Sequence, residues 1–371
     1  MGDKSKIDWT DATWNPIVGC SIVSPACTNC YAMAMARRIE CMKSGTAYEG
    51  TTRLSVNGTP VWTGKVAQAV EHALTQPLRW RRPRKIFVNS MGDLFHESVP
   101  DEWIDRVFAV MALAPQHTFQ VLTKRSARMR AYLASALRRA AWEIAADPRR
   151  DDAFLSHEEY RRLSHFQVSV PTARAYENHC YFRQWPLPNV WIGVTAEDQE
   201  RADERIPDLL ATPAARRFIS AEPLLGPLDV RWALGSPIEI GAGFLARGHF
   251  APGLETLRPL DQIITGGESG PNARPSHPDW FRSLRDQCAV SETAYFFKQW
   301  GEWAPGEAID DDMQSKTETG AWFFGGQWRQ RPVTVRESET MTFDDEPDVW
   351  RVGKRRAGHL LDGREHREFP A

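Results

Sequence analysis

Six short runs of mostly consecutive apolar residues punctuate the chain, at 85–90, 118–123, 189–194, 217–220, 262–265 and 294–297. Unbroken apolar character over so few residues is the mark of strands buried on both faces, as in a parallel sheet. Between most of them the apolar spacing turns helical, at about 101–114, 126–147, 199–211 and 278–289. Pro100-Asp101-Glu102 and His277-Pro278-Asp279 supply helix-start chemistry, a proline and acidic residues at the first turn. Strands alternating with helices in this number predict an α/β fold, a complete or partial (β/α) barrel.

Two regions break the rhythm. Residues 131–186 are rich in Arg, Glu and Ala and read as a helical insertion between neighbouring strands. Residues 302–371 are polar, with a loop at Asp310-Asp311-Asp312, yet they hold Trp322, Phe323, Phe324, Trp328 and Trp350. So many aromatics argue against disorder. The expected organisation is a barrel over 1–301, carrying the insertion, and a C-terminal extension over 302–371 packed on it.

Composition narrows the class. With 46 Lys and Arg against 48 Asp and Glu, the net charge of -2 excludes a binder that works by bulk positive charge. No apolar run is long enough to span a bilayer, and the N-terminus lacks a signal-peptide core, so no membrane partner and a cytoplasmic location are expected. Tryptophan stands out at 15 of 371 residues, about three times ordinary usage.

Three of the six cysteines fall in one stretch, Cys20, Cys27 and Cys30, while Cys41, Cys180 and Cys288 are scattered. Clustered thiols in an intracellular chain point to a metal rather than a disulfide framework. Three thiolates can hold three irons of a [4Fe–4S] cluster and leave the fourth iron open to a ligand. Zinc is the rival, and it would need a fourth ligand such as Cys41 or a distant group. Three thiols without metal are the plain alternative.

A loop of three cysteines whose last member precedes an aromatic, here Tyr31, resembles the cluster loop of radical S-adenosylmethionine (radical SAM) enzymes, which are partial (β/α) barrels. That family's usual spacing is C-x3-C-x2-C; this chain has C-x6-C-x2-C. A resemblance across nearly the whole chain is closer. Ile7-Asp8-Trp9-Thr10-Asp11-Ala12-Thr13-Trp14-Asn15-Pro16, Gly92-Asp93-Leu94-Phe95-His96, Val121-Leu122-Thr123-Lys124-Arg125, Ser220-Ala221-Glu222-Pro223-Leu224-Leu225-Gly226-Pro227, Gly266-Gly267-Glu268-Ser269-Gly270 and Phe297-Lys298-Gln299-Trp300-Gly301 are similar to an uncharacterised phage and bacterial family. Its members can be encoded beside a three-Cys-motif partner protein, which makes such a protein an expected partner. That family brings no settled reaction.

Polar residues follow the predicted strands, where a (β/α) barrel builds its active site. Asp93, His96, Lys124, Arg125, Glu197, Glu222, Glu268 and Lys298 all hold such positions. Each alone reads as a solvated loop charge or a structural ion pair; together they read as a rim for a zwitterionic cofactor and a polar substrate. Lys124, Glu222 and Lys298 are the catalytic candidates. Gly266-Gly267-Glu268 lets backbone approach a ligand closely or simply makes a tight loop. In radical SAM enzymes a Gly-Gly-Glu stretch holds the cofactor's amino group, but after an early strand, so the resemblance carries that role to Gly266, Gly267 and Glu268 only weakly. By position Asp93 is the better candidate for the ammonium, with Tyr31 beside the cluster.

Lys65, Arg79, Arg81, Arg82, Arg84 and Lys85 surround Trp80, a pattern of either nucleic-acid contact or a solvated approach to a strand. Trp9, Trp14, Trp300 and Trp303 are either core or a base-stacking wall. The leading expectation is a radical-SAM-like iron–sulfur enzyme. It would use S-adenosylmethionine and an external electron donor on an unidentified substrate, a nucleotide or nucleic acid among the candidates. The competing class is a non-catalytic, metal-stabilised module that binds nucleic acid or protein.

Overall fold

The computed structural model describes residues 5, 7–42, 44–134, 173–176, 179–182, 186–235, 259–309, 317–342 and 345–371. Seven strands form one sheet: β1 (Ala12–Trp14), β2 (Lys85–Val88), β3 (Thr118–Thr123), β4 (Val190–Thr195), β5 (Arg216–Ala221), β6 (Gln262–Thr265) and β7 (Ala294–Phe297). Their spatial order is their chain order, from β1 at one edge to β7 at the other. The registers of β1 with β2, β2 with β3, β3 with β4, β5 with β6 and β6 with β7 are all parallel. This is an open α/β sheet of the kind found in a partial (β/α) barrel. Sequence periodicity located six of the seven strands; β1, only three residues long, carries too little pattern to register.

Helices α1 (Tyr31–Met42), α2 (Asp101–Leu113), α3 (Ser126–Ala134), α4 (Gln199–Ala211) and α5 (Pro278–Val290) connect them. Asp101 and Glu102 sit in the first turn of α2, where the helix dipole favours negative charge. At α5 the His277 ring accepts the Asp279 N–H, satisfying one of the donors a helix start leaves open. Most of the expected insertion at 131–186 lies outside the described residues. What is described there is the end of α3 and an antiparallel pair, Ala173–Tyr176 with His179–Phe182.

The chain divides into two compact units, residues 1–194 with 208–217 and residues 195–207 with 218–371. In the first, Trp14, Ile86, Val88, Phe119 and Val121 are fully buried, which accounts for their consecutive apolar sequence. Two short antiparallel pairs, Ile17–Val18 with Ala67–Gln68 and Thr52–Leu54 with Pro60–Trp62, flank the segment that carries the clustered cysteines.

In the second unit the C-terminal residues fold as a second sheet. Strands β8 (Trp303–Ala304), β9 (Thr317–Phe324), β10 (Gln327–Thr334) and β11 (Val349–Arg351) lie in the order β8-β11-β9-β10. Trp303, Ala321, Val349 and Ala273 form its core. The Asp310-Asp311-Asp312 loop falls outside the described residues. The last segment runs along β7: Phe297 N donates to His366 O at 2.9 Å and Glu368 N to Tyr295 O at 3.2 Å. Gln262 Nε2 adds a bond to Glu368 O at 2.7 Å, and Phe369 stacks edge-on against Phe296. An edge strand left bare is a template for aggregation, and this segment covers it.

No helix among the described residues is long and apolar enough to cross a membrane. Ending the chain after Gly363 removes the cover of β7. The expected outcome is self-association, read by light scattering on a sizing column, with a lower urea midpoint; an unchanged, monodisperse protein would assign the tail no such role.

Candidate functional site

The cysteine segment leaves β1 and ends at the start of α1. Cys27 closes a single 3₁₀ turn over Pro25–Cys27 and is buried, with Ser24 Oγ 3.9 Å from its sulfur. Cys20 and Cys30 pack on one apolar cluster formed by Val18, Ala32, Met33, Ala36, Trp62 and Met91. Burial pushes the Cys20 thiol up to about 12, a shift Asp93 increases and Arg125 opposes. Burial also raises the Cys30 thiol, while the amides at the start of α1 and the Lys124 charge pull the other way. Tyr31, half exposed, donates its hydroxyl to Ser90 O at 3.0 Å.

Arg125, just beyond β3, binds this segment to the loop after β2. Its Nη1 donates to Cys20 Sγ at 3.4 Å and to Asp93 Oδ2 at 3.1 Å. Nη2 donates to Ser21 Oγ at 2.7 Å and Ser21 O at 3.4 Å, and Nε to Glu97 Oε1 at 3.2 Å. All five guanidinium protons are therefore used. Burial works against this charge, but Asp93, Cys20 and Glu97 more than restore it, so Arg125 stays a cation.

Asp93, the candidate for a ligand's ammonium, is engaged within the protein. Its Oδ1 accepts from Thr123 Oγ1 at 2.6 Å and Phe95 N at 3.0 Å, and its Oδ2 from Lys124 N at 3.0 Å as well as from Arg125. Four partners fill a carboxylate's accepting capacity. The sequence position was informative, but the side chain is spent on holding Arg125 and the β3 terminus. His96 joins the same network: Ser98 N donates to its Nδ1 at 3.1 Å, which leaves Nε2 as the protonated nitrogen, 3.0 Å from Ser21 Oγ.

In the second unit the charged candidates sort into two kinds. Glu197 is a core residue: it pairs with Arg205 at 3.0 Å, the two side chains 0% and 2% exposed. Glu268 is likewise occupied, since its carboxylate takes Arg274 Nη2 at 2.5 Å and Arg274 Nε and N at 2.8 Å. The glycines before it are there for packing. A Cβ on Gly267 would overlap the Trp300 carbonyl oxygen, and one on Gly266 would stand 2.9 Å from Glu222 Oε1. Their amides bond Gln299 O and Ala221 O. The packing around Gly266 and Gly267 and the Arg274 partner of Glu268 account for these three residues within the fold.

The second kind is the pair Lys298–Glu222. Lys298 Nζ lies 2.9 Å from Glu222 Oε1, and Ser220 Oγ donates to Glu222 Oε2 at 3.3 Å. Both side chains are partly accessible, 19% and 14% exposed, unlike the sealed Glu197–Arg205 pair. They follow β7 and β5, and Gly266 leaves the space the Glu222 carboxylate occupies. A partly open Lys–Glu pair can exchange a proton with a bound molecule.

One family matches residues 4–370, described as proteins of unknown function, DUF5131. The chain belongs to the DUF5131 family. No curated protein and no solved structure matches it.

Several sequence candidates take other roles. Trp80 is buried, edge-on to His117 and covered by Arg84 at 4.7 Å, so the basic stretch 79–85 offers no free stacking ring. Lys65 and Arg79 bond backbone carbonyls of Glu49 and His72. Trp9, Trp14, Trp300 and Trp303 are all buried, which removes the base-stacking wall. Cys41 is exposed, Cys288 is buried, and the Cys180 side chain lies outside what is described.

Among the described residues, no three His, Cys, Asp or Glu side chains are drawn into an arrangement that holds a metal ion. The donor chemistry nonetheless suits an anionic iron–sulfur group. The three cysteines share one segment, with the Arg125 cation on Cys20 and a helix start at Cys30. Ser21, Thr123 and Glu97 were not legible as participants, because each acts through a partner distant in sequence.

Two outcomes follow from this network. Arg125→Ala should cost about 3–5 kcal/mol in urea unfolding, because it strands the buried Asp93 carboxylate. Arg125→Lys should recover only part of that, since an ammonium cannot span five acceptors. Burial, with Arg125 adding repulsion, holds His96 below its ordinary range. Unfolding restores a value of about 6.5, so below that pH the unfolded chain binds a proton the native state refuses, and stability falls as pH drops. His117 and His366 shift the same way, also through burial. Urea midpoints from pH 7.5 to 5 should therefore decline, and His96→Gln should flatten the decline.

Proposed function

We propose that this DUF5131 protein is a radical-SAM-like iron–sulfur enzyme, with Cys20, Cys27 and Cys30 as ligands of a [4Fe–4S] cluster and S-adenosylmethionine as its cofactor. The observation that carries the reading is the three-thiol segment between β1 and α1, with Arg125 Nη1 3.4 Å from Cys20 Sγ. Three cysteine ligands leave one iron position for a small molecule. The bound group would supply one-electron cleavage of the sulfonium and the hydrogen abstraction that follows, with electrons from an external donor.

The chain's own residues do the rest. Arg125 offsets negative charge at Cys20, and its fixed hydrogen bonds keep that offset in place. Tyr31, next to Cys30 in the chain, is tethered by its hydroxyl to Ser90 O. Asp93 positions Arg125. Lys124 contributes its charge near Cys30, and within the second unit the Lys298–Glu222 pair is the candidate for acid–base work. The substrate class includes nucleotides and nucleic acid, and a three-Cys-motif partner protein fits as a companion in the cell.

Anaerobic reconstitution tests this. The expected result is a brown protein with roughly four iron and four sulfide per chain. Cys20→Ala, Cys27→Ala and Cys30→Ala should each lose the cluster, and Cys288→Ala should keep it. With S-adenosylmethionine and dithionite the wild type should release 5′-deoxyadenosine and methionine, whereas Glu222→Gln and Lys298→Met should keep iron but lose turnover on substrate. A colourless protein with stoichiometric zinc overturns the reading. Iron without any binding of S-adenosylmethionine leaves the metal-stabilised binding module in its place.

A further inference from the structure

The β9–β10 hairpin has two unlike faces. On one, Phe323 and Trp328 pack against Trp280 and His277, with Phe323 and Trp280 ring centres 5.2 Å apart. This fixes the hairpin to the start of α5. On the other face stand Trp322 and Phe324 from β9 and Arg329 and Arg331 from β10, because residues alternate sides along each strand. Trp322 lies directly opposite Arg329, and the diagonal neighbours stack. Arg329 Cζ is 5.5 Å from the Phe324 ring centre, and Arg331 Cζ is 4.8 Å from that of Trp322.

The face therefore reads aromatic, cation, aromatic, cation along its length. Phe324 is 70% exposed at the turn, and both arginines are exposed. Trp322 is held by its indole N–H on Asp345 O at 3.0 Å, so the platform is set in advance. Arg331 is shared with Glu337 at 2.5 Å. Arg329 makes only its Phe324 contact among the described residues. Its guanidinium N–H groups make no ion pair or hydrogen bond among the described residues and are open to an anion.

We propose that this face of the β9–β10 hairpin binds single-stranded nucleic acid. Bases would stack on Phe324 and Trp322, and phosphates would meet Arg329 and Arg331. Strand-binding sites of other folds combine these same two elements, stacking rings and cations spaced along them. An acidic protein segment would satisfy the arginines but would leave no use for a ring as exposed as Phe324. Phe324, unlike the buried Trp80, presents an exposed ring to a base, and Trp322 continues that surface half-buried beneath Arg331. The proposal does not depend on the cluster, and its test needs no metal.

The test is fluorescence anisotropy of labelled oligo(dT) and oligo(rU), about twelve nucleotides long, titrated with the full chain at low salt. Binding is expected for at least one probe, and the tighter of the two identifies DNA or RNA as the source. Phe324→Ala should weaken it about tenfold. Arg329→Ala should weaken it and make the salt dependence shallower by about 0.7 in log–log slope. Both positions are exposed, so near-UV circular dichroism should show the fold intact. Failure of the wild type to bind either probe overturns the proposal. So does loss of binding in an Arg81→Ala/Arg82→Ala variant while Phe324→Ala and Arg329→Ala retain it. Competition by polyglutamate that is indifferent to Phe324→Ala would reassign the face to an acidic protein partner.

Discussion

The Arg125 guanidinium is the interaction on which the first unit's site depends. A buried cation of this size is expensive unless every proton has a partner, and here all five do. Those partners come from two different places in the chain: Cys20 and Ser21 after β1, and Asp93 and Glu97 after β2. Arg125 itself follows β3. One side chain thus ties the loops of three successive strands, and the cysteine segment cannot shift without unpairing a charge. Asp93 is the indispensable second member, because its other bonds reach Thr123, Lys124 and Phe95 and lock the β3 terminus to the same point.

The charged residues after strands divide by what already satisfies them. Glu197 and Glu268 are taken by arginines eight and six residues ahead in the chain, close enough that each loop completes its own pair. Breaking the sealed Glu197–Arg205 pair is costly, and the Glu268 carboxylate is engaged by three Arg274 nitrogens, so both carboxylates serve their own loops. Glu222 and Lys298 are different. Their partners come from separate strands, they keep some contact with solvent, and Gly266 is small because the carboxylate needs its space.

Much of the fold could be read from the chain, and the reason is burial. Strands such as Gln262–Thr265 are covered on both faces, so apolar residues run together and stand out from their surroundings. The β9–β10 hairpin left no such signal. Its aromatics occupy both faces, Phe323 and Trp328 inward and Trp322 and Phe324 outward, so no period of two emerges. The candidate site was legible as a set of positions and illegible as a set of roles. That a polar residue follows a strand is visible in sequence; whether Arg274 or a ligand claims Glu268 depends on three-dimensional contacts. Gly266-Gly267 shows the same limit, since a glycine demanded by the Trp300 carbonyl looks like one demanded by a cofactor.

Four of the tryptophans do more than fill space. Long segments after strands carry backbone carbonyls that neither helix nor sheet satisfies, and a buried carbonyl left unpaired is unfavourable. Trp14 donates its indole N–H to Ala73 O, Trp300 to Leu360 O, Trp303 to Ala273 O and Trp322 to Asp345 O, at 2.8 to 3.0 Å. Each reaches across the chain from 23 to 60 residues away. Phenylalanine would be smaller and leave the carbonyl unpaired, and a polar residue would pair it but leave the core unfilled. Tryptophan does both with one side chain. These four tryptophans therefore tie distant segments together as well as packing, which a ligand is not needed to explain.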